Sequence, residues 1–127
     1  MRQHNFLATA VALDASATKV HGADFTSVVH RAGEWATTFF VIEFTRAAGS
    51  ASKLDVEIQA CFDGSTWNAL EDLFQVATNE VAVTGTTVRK MVSIDLPAGC
   101  PLRLGRIKNN DGANNLTAVQ VSIVSAV

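Results

Sequence analysis

Residues 54–62 read Leu54-Asp55-Val56-Glu57-Ile58-Gln59-Ala60-Cys61-Phe62. Leu54, Val56, Ile58, Ala60 and Phe62 recur at every second position, and Asp55, Glu57 and Gln59 fill the positions between. Successive side chains of an extended chain point to opposite faces. This alternation is therefore that of an antiparallel strand with one face buried and the other in water. Asp63-Gly64 follows at once, and both residues suit the tight turn that closes a hairpin.

The same period appears on either side. Near the C-terminal end Val119, Val121 and Ile123 alternate with Gln120 and Ser122. Val88, Val92, Ile94 and Leu96 alternate with Arg89, Ser93 and Asp95, and Lys90 interrupts the apolar face. The stretch Trp35-Ala-Thr-Thr-Phe-Phe40-Val-Ile-Glu43-Phe44 is apolar on both faces. Its β-branched and aromatic content favours a central strand whose second face is covered by a loop or a neighbouring subunit. Turn chemistry separates these runs at Gly85, at Pro97 to Pro101 and at Asn109 to Gly112. Within Leu102–Ile107 the apolar phase slips near Gly105, which predicts a β-bulge. Residues 6–13 and 25–30 read as further short strands.

One segment leaves two readings open. Asn68–Glu71 fits a helical capping box, with Leu70, Leu73, Phe74 and Ala77 at helical spacing. The turn and Trp67 just before it favour a returning strand or a loop. The whole chain of 127 residues fits one domain, 1–127, with 1–34 read as an extended N-terminal arm plus the first strands. About eight short strands without an internal repeat predict an all-β, antiparallel β-sandwich of jelly-roll type.

The hydrophobic fraction is 48% and the charged fraction 17%, which is too apolar for disorder and implies a surface partly covered by something else. A net charge of −2 argues against a general nucleic-acid-binding surface, which needs an excess of Lys and Arg. No apolar run reaches the roughly 18 residues of a membrane helix, so no membrane partner is expected. Arg2, the apolar run from Phe6 to Leu13 and Ala15-Ser16-Ala17 mimic an export leader, but the run is short and alternates as a strand. Cys61 and Cys100 form no framework or ligand motif, and free thiols suited to a reducing cytoplasm are expected.

The chain carries no GxSxG, P-loop or GxGxxG pattern. His4, His21 and His30 have no metal-ligand spacing, and the oxygen-rich loop 109–115 lacks the order of a calcium loop. Glu43 stands alone in its apolar strand and reads as an ion-pair partner. No catalytic residue, metal or cofactor is expected, and the chain does not read as an enzyme.

Charge is unevenly placed. From Leu54 to Val88 there is no Lys or Arg, but there are Asp55, Glu57, Asp63, Glu71, Asp72 and Glu80; Arg89, Lys90, Arg103, Arg106 and Lys108 follow. This split suggests that Glu71, Asp72 and Glu80 of one copy face Arg89, Lys90 or Arg106 of a neighbour. Trp35 and Phe40 on the doubly apolar strand are the apolar members of the same expected interface. Asp63 and Gly64 are assigned to the turn and Trp67 to the core.

The stretch from Val56 through Asp63-Gly64-Ser-Thr-Trp67 to Leu70, with Leu102-Arg-Leu104 and a last apolar strand, resembles the hairpins of β-sandwich structural proteins in tailed-bacteriophage virions. The resemblance covers residues 52–127. It implies a capsid cement or decoration subunit that binds the major coat protein, self-associates as a homotrimer and resides in the virion. A tail or baseplate sandwich and a carbohydrate-binding module are the alternatives. The absence of Tyr and the presence of only two Trp count against a sugar platform.

Overall fold

The computed structural model describes residues 2–33, 37–47, 53–70, 74–77, 82–84 and 86–125, with the backbone alone for 74–77, 82–84 and Ser125. Among these residues there is no helix. The strands are β1 (Arg2–Asn5), β2 (Val11–Leu13), β3 (Thr18–Val20), β4 (His30–Arg31), β5 (Thr37–Thr45), β6 (Lys53–Cys61), β7 (Trp67–Ala69), β8 (Phe74–Ala77), β9 (Ala82–Thr84), β10 (Thr87–Asp95), β11 (Pro101–Asn109) and β12 (Leu116–Ser125).

They form two antiparallel sheets. The first runs β1-β12-β5-β10-β9, with β2 also on β12. The second runs β3-β11-β6-β7, with β4 also on β11 and β8 also on β6. Short neighbours that share a partner are pieces of one interrupted strand. Joining β1 with β2, β3 with β4 and β7 with β8, and leaving aside the edge strand β9, gives two four-stranded sheets. The chain crosses between them from β2 to β3, β4 to β5, β5 to β6, β8 to β9, and again into and out of β11. That is the jelly roll expected from the spacing of turns, and its eight strands, three of them broken in two, account for every observed segment but β9.

One set of alternate side chains from each long strand fills the space between the sheets. β5 contributes Phe40, Ile42 and Phe44; β6 contributes Leu54, Val56, Ile58 and Ala60. β11 adds Leu102, Leu104 and Ile107, and β12 adds Leu116, Val119, Val121 and Ile123. Phe40 is fully buried, its ring stacked 6.3 Å from that of Phe6, so its expected place at an interface is corrected. It falls on the inner face because β5 alternates inward at its even-numbered positions.

Where the alternation slips, the reason is local. The register of β11 shifts between Leu104 and Arg106, and Gly105 is the inserted residue. A Cβ there would lie 2.6 Å from the Gln59 side chain on the neighbouring strand, so a larger residue would have to displace that side chain. β12 shifts between Thr117 and Gln120, where Ala118 takes a positive φ of 52°. Opposite that bulge the first strand is broken between β1 and β2. The Gln120 side chain fills the break: its amide donates to Leu7 O at 2.9 Å, and its oxygen accepts from Leu7 N–H at 3.2 Å.

Residues 2–33 supply the first strands of the sandwich. β1 and β2 lie on β12, while β3 and β4 lie on β11, so this segment edges both sheets. The segment with two open readings resolves as strand at β7 and β8, separated by residues outside the description. Phe62, expected on the buried face, is 60% exposed because β6 ends one residue earlier.

Substitution Phe40→Ala should cost roughly 3–5 kcal/mol in denaturant unfolding, as for a large aromatic removed from a packed core. Gly105→Ala should cost about 1–3 kcal/mol, because the Gln59 side chain must move to admit a methyl group. A Phe40→Ala protein that unfolds like wild type would return this ring to the surface.

Candidate functional site

Each sheet has an outer face, and the two differ in chemistry. On the second sheet the outward positions of β6 meet those of β11 directly. Asp55 lies opposite Lys108, Glu57 opposite Arg106 and Gln59 opposite Arg103. Asp55 and Glu57 of the acidic stretch and Arg103, Arg106 and Lys108 of the basic one, far apart in sequence, therefore stand on adjacent strands of one molecule. Arg106, expected to meet an acidic stretch of another copy, has Glu57 of its own chain across from it.

Trp67 also belongs to this face. Its strand register pairs it with Cys61, an outward position of β6, so the ring is half-buried outside the sheet rather than in the core. The Arg103 guanidinium lies 4.3 Å from the ring centroid, and its Nε donates to Gln59 Oε1 at 2.7 Å. Leu70 packs against the core from this hairpin, the part assigned from the sequence to Trp67. Asp63 and Gly64 form the turn before it. Gly64 has a φ of 85°, and Asp63 Oδ1 accepts from Ser65 N–H at 3.0 Å and Thr66 N–H at 2.7 Å. Those amides hold the Asp63 carboxyl at about 2, below its ordinary 3.8.

The outer face of the first sheet carries less charge. β5 presents Phe39, Val41 and Glu43 outward, between β12 and β10. In cross-strand rows, Phe39 lies between Ser93 and Val124, Val41 between Met91 and Ser122, and Glu43 between Arg89 and Gln120. β1 extends the rows with Gln3 opposite Val124 and Asn5 opposite Ser122. Gln3, Asn5, Val41, Glu43, Gln120 and Ser122 line an open depression of about 390 Å³. Val41 is its nearly buried floor, and Met91 beside it is 57% exposed.

The polar rim of this depression is ordered by its own bonds. Ser122 Oγ donates to Asn5 Oδ1 at 2.7 Å, and Arg89 donates to Gln3 Oε1. Arg89 Nε lies 3.9 Å from Glu43 Oε2, with both side chains nearly half exposed. An ion pair that open to water contributes little to stability, so its effect is to hold the two side chains in place.

Of the residues assigned from the charge split, the three that are described do not share a face. Arg89 is on the outer face of the first sheet, Arg106 on the outer face of the second, and Lys90 in the core-facing phase of β10, half-buried. Trp35, Glu71, Asp72 and Glu80 lie outside the described residues. The sequence reading missed Gln3, Asn5, Phe39, Met91 and Ser122. Their only signal was the outward phase of the strands that also supply the core.

Among the described residues no three His, Cys, Asp or Glu side chains group as a metal site. His4 and His30 face each other with ring centroids 5.6 Å apart. His21 accepts from Ser27 N–H through Nδ1 at 3.0 Å, and burial together with Arg103 holds its pKa below the usual value. In the loop 109–115, Asp111 binds the Ala113 and Asn114 amides of its own turn, at 2.8 and 3.2 Å.

No family model matches the chain, and no curated protein matches it. Among solved structures, a carbohydrate-binding module of lichenase 5A from Cellvibrio mixtus, in complex with cellotriose, aligns with 99% of this chain and 87% of that one. The identity is 16% and the TM-score 0.45, a distant likeness from which no residue role is carried over.

Two outcomes are expected from this geometry. Trp67→Ala should cost about 1–2 kcal/mol, less than a core aromatic, because half a ring and one cation–π contact are lost. Asp63 stabilises the fold through its ionised form. Its contribution is complete above about pH 4 and is lost as pH falls through about 2. Melting midpoints of wild type and Asp63→Asn should therefore converge as the pH drops across that window; a constant gap would mean the turn amides do not act on the charge.

Proposed function

We propose that the chain is a non-catalytic structural subunit of a bacteriophage virion, a cement or decoration protein that docks the outer face of its first sheet on the coat lattice. One observation carries this reading: exposed Met91 and the Phe39–Val41 strip sit at the centre of that face, rimmed by Gln3, Asn5, Ser93, Ser122 and the Arg89–Glu43 pair. An apolar centre within an ordered polar rim is the layout of a protein–protein contact. The low charged fraction and the hairpin at 54–70 support it. Self-association as a homotrimer belongs to the same reading, since closed rotational symmetry covers apolar surface without building filaments.

A second reading, a carbohydrate-binding module, is favoured by one feature. The depression offers amide groups of Gln3 and Asn5 and a carboxylate at Glu43, with the Arg89 guanidinium beside it, all able to bond sugar hydroxyls. The ring that could stack on a sugar from the other face, Trp67, already has Arg103 over it.

Coat lattices assembled without this chain and then mixed with it should bind it and withstand higher temperature. Met91→Glu should weaken that binding at least about tenfold, corresponding to 1.4 kcal/mol, and leave the melting midpoint of the free subunit within a few degrees. Titration with cellotriose should give no heat. Heat that disappears in Glu43→Gln, with no binding to coat, would move the assignment to the carbohydrate reading. Sedimentation at micromolar concentration checks the trimer.

A further inference from the structure

We infer that the open edge of β10 pairs antiparallel with the same edge of a second copy of this chain, in the register that sets Arg89 of each copy opposite Asp95 of the other. β10 is nine residues long, yet β9 lies beside only Thr87 and Val88. From Arg89 to Asp95 the side of β10 away from β5 carries no strand among the described residues. The core-facing side chains show the same opening. Val92 and Ile94 are only partly buried, whereas Phe40 and Ile42 on the next strand are fully buried. On the outer face Met91 is largely exposed.

One hydrogen bond fixes which backbone groups face the opening. Arg46 N–H donates to Thr86 O at 3.0 Å, one step before the β5–β10 ladder begins at Thr45 and Thr87. Bonded and non-bonded pairs alternate along an antiparallel ladder, so the even-numbered residues of β10 bond to β5. Arg89, Met91, Ser93 and Asp95 therefore direct their N–H and C=O groups to the open side, and their side chains lie on the exposed face. A row of unpaired donors and acceptors is a template for another strand.

The sequence of this edge complements itself. Antiparallel pairing centred on Val92 sets Met91 against Ser93 and Arg89 against Asp95, each twice by symmetry. The neighbouring registers set Arg89 opposite Ser93 in one direction and opposite Pro97, beyond the strand, in the other. Only the centred register brings opposite charges face to face. One cross-strand row then runs from Glu43 and Arg89 to Asp95 and Thr37 of the second copy, with Arg89 between two carboxylates. The Thr37 hydroxyl donates to Asp95 Oδ1 at 2.8 Å, which leaves Oδ2 to accept from the guanidinium. Opposite charges across strands favour a pairing, and like charges oppose it.

The two-fold axis of such a pair stands perpendicular to the sheet, so the outer faces of both copies lie on one side and their Phe39, Val41 and Met91 strips join. The contact is separate from the three-fold association proposed above, and two-fold and three-fold contacts together close as dihedral assemblies. It needs no coat protein, so its test is independent of the coat-docking reading.

The test is charge reversal, read by sedimentation equilibrium of the full chain. Arg89→Asp alone and Asp95→Arg alone each set like charges opposite one another and should weaken the two-fold association at least about tenfold. An equimolar mixture of the two should recover it, because one chain then carries acid at both positions and the other base at both. Added salt should weaken the wild-type contact. Melting curves show whether each variant folds, and a cysteine scan tests the register without touching charge. Under oxidation Val92→Cys should cross-link copies through that residue. Ile94→Cys, about 13 Å from its counterpart in this register, should not, nor should wild type, whose Cys61 and Cys100 are buried. A wild type with the same mass as both single variants, a mixture that stays at the mass of its components, or Ile94→Cys cross-linking as readily as Val92→Cys would overturn the inference.

Discussion

The space between the two sheets accepts one set of side chains from each strand, and parity along the chain decides which set enters. β5 delivers Phe40, Ile42 and Phe44 inward, and β6 answers with Leu54, Val56, Ile58 and Ala60. Once those sets are committed, the residues between them are committed outward. The outer face of the first sheet, with Phe39, Val41 and Glu43, is the complement of the core. A one-residue slip in β5 would exchange the two and place Glu43 in the apolar interior.

The fold tolerates an extra residue only where it has a device to absorb it. Gly105 absorbs one in β11 by giving up its side chain to Gln59. Ala118 absorbs one in β12 at a positive φ, and the Gln120 amide bonds the backbone that the bulge leaves open on the first strand. Asn109 does similar work at the sandwich end. Fully buried, it donates to the carbonyls of Asp14 and Asn114 and accepts from the Asp111 amide, so a polar side chain stitches the loop after β2 to the loop before β12. Buried amides of this kind are retained when all their bonds are made.

Strand identity and the bulge at Gly105 were legible because they depend on neighbours in sequence. Asp63-Gly64 announces its own turn, and Leu54–Ala60 its own buried face. What sequence could not show was the lateral order of strands. β6 and β11 lie side by side although some forty residues separate them, so Asp55 and Glu57 face Lys108 and Arg106 within one molecule. Trp67 was misplaced for a related reason. Its size suggests burial, but its position opposite Cys61 sets it outside, and the smaller Leu70 reaches the core. The outer-face residues of the first sheet come from β1, β5, β10 and β12, and no local pattern could have gathered them.

The position of β12 governs how this molecule can come into being. It follows every other strand in the chain, yet it lies inside the first sheet, between β1 and β5. Until it is inserted, β1 and β2 have no partner in that sheet, and one edge of β5, apolar on its inner face, stays open. Closure must bring together segments separated by most of the chain's length, a costly loop that slows folding and prolongs the life of an exposed edge. During synthesis the nascent sandwich would remain an unclosed half-sheet until the last of its strands has left the ribosome. In that interval it would be vulnerable to pairing with the same edge of another chain.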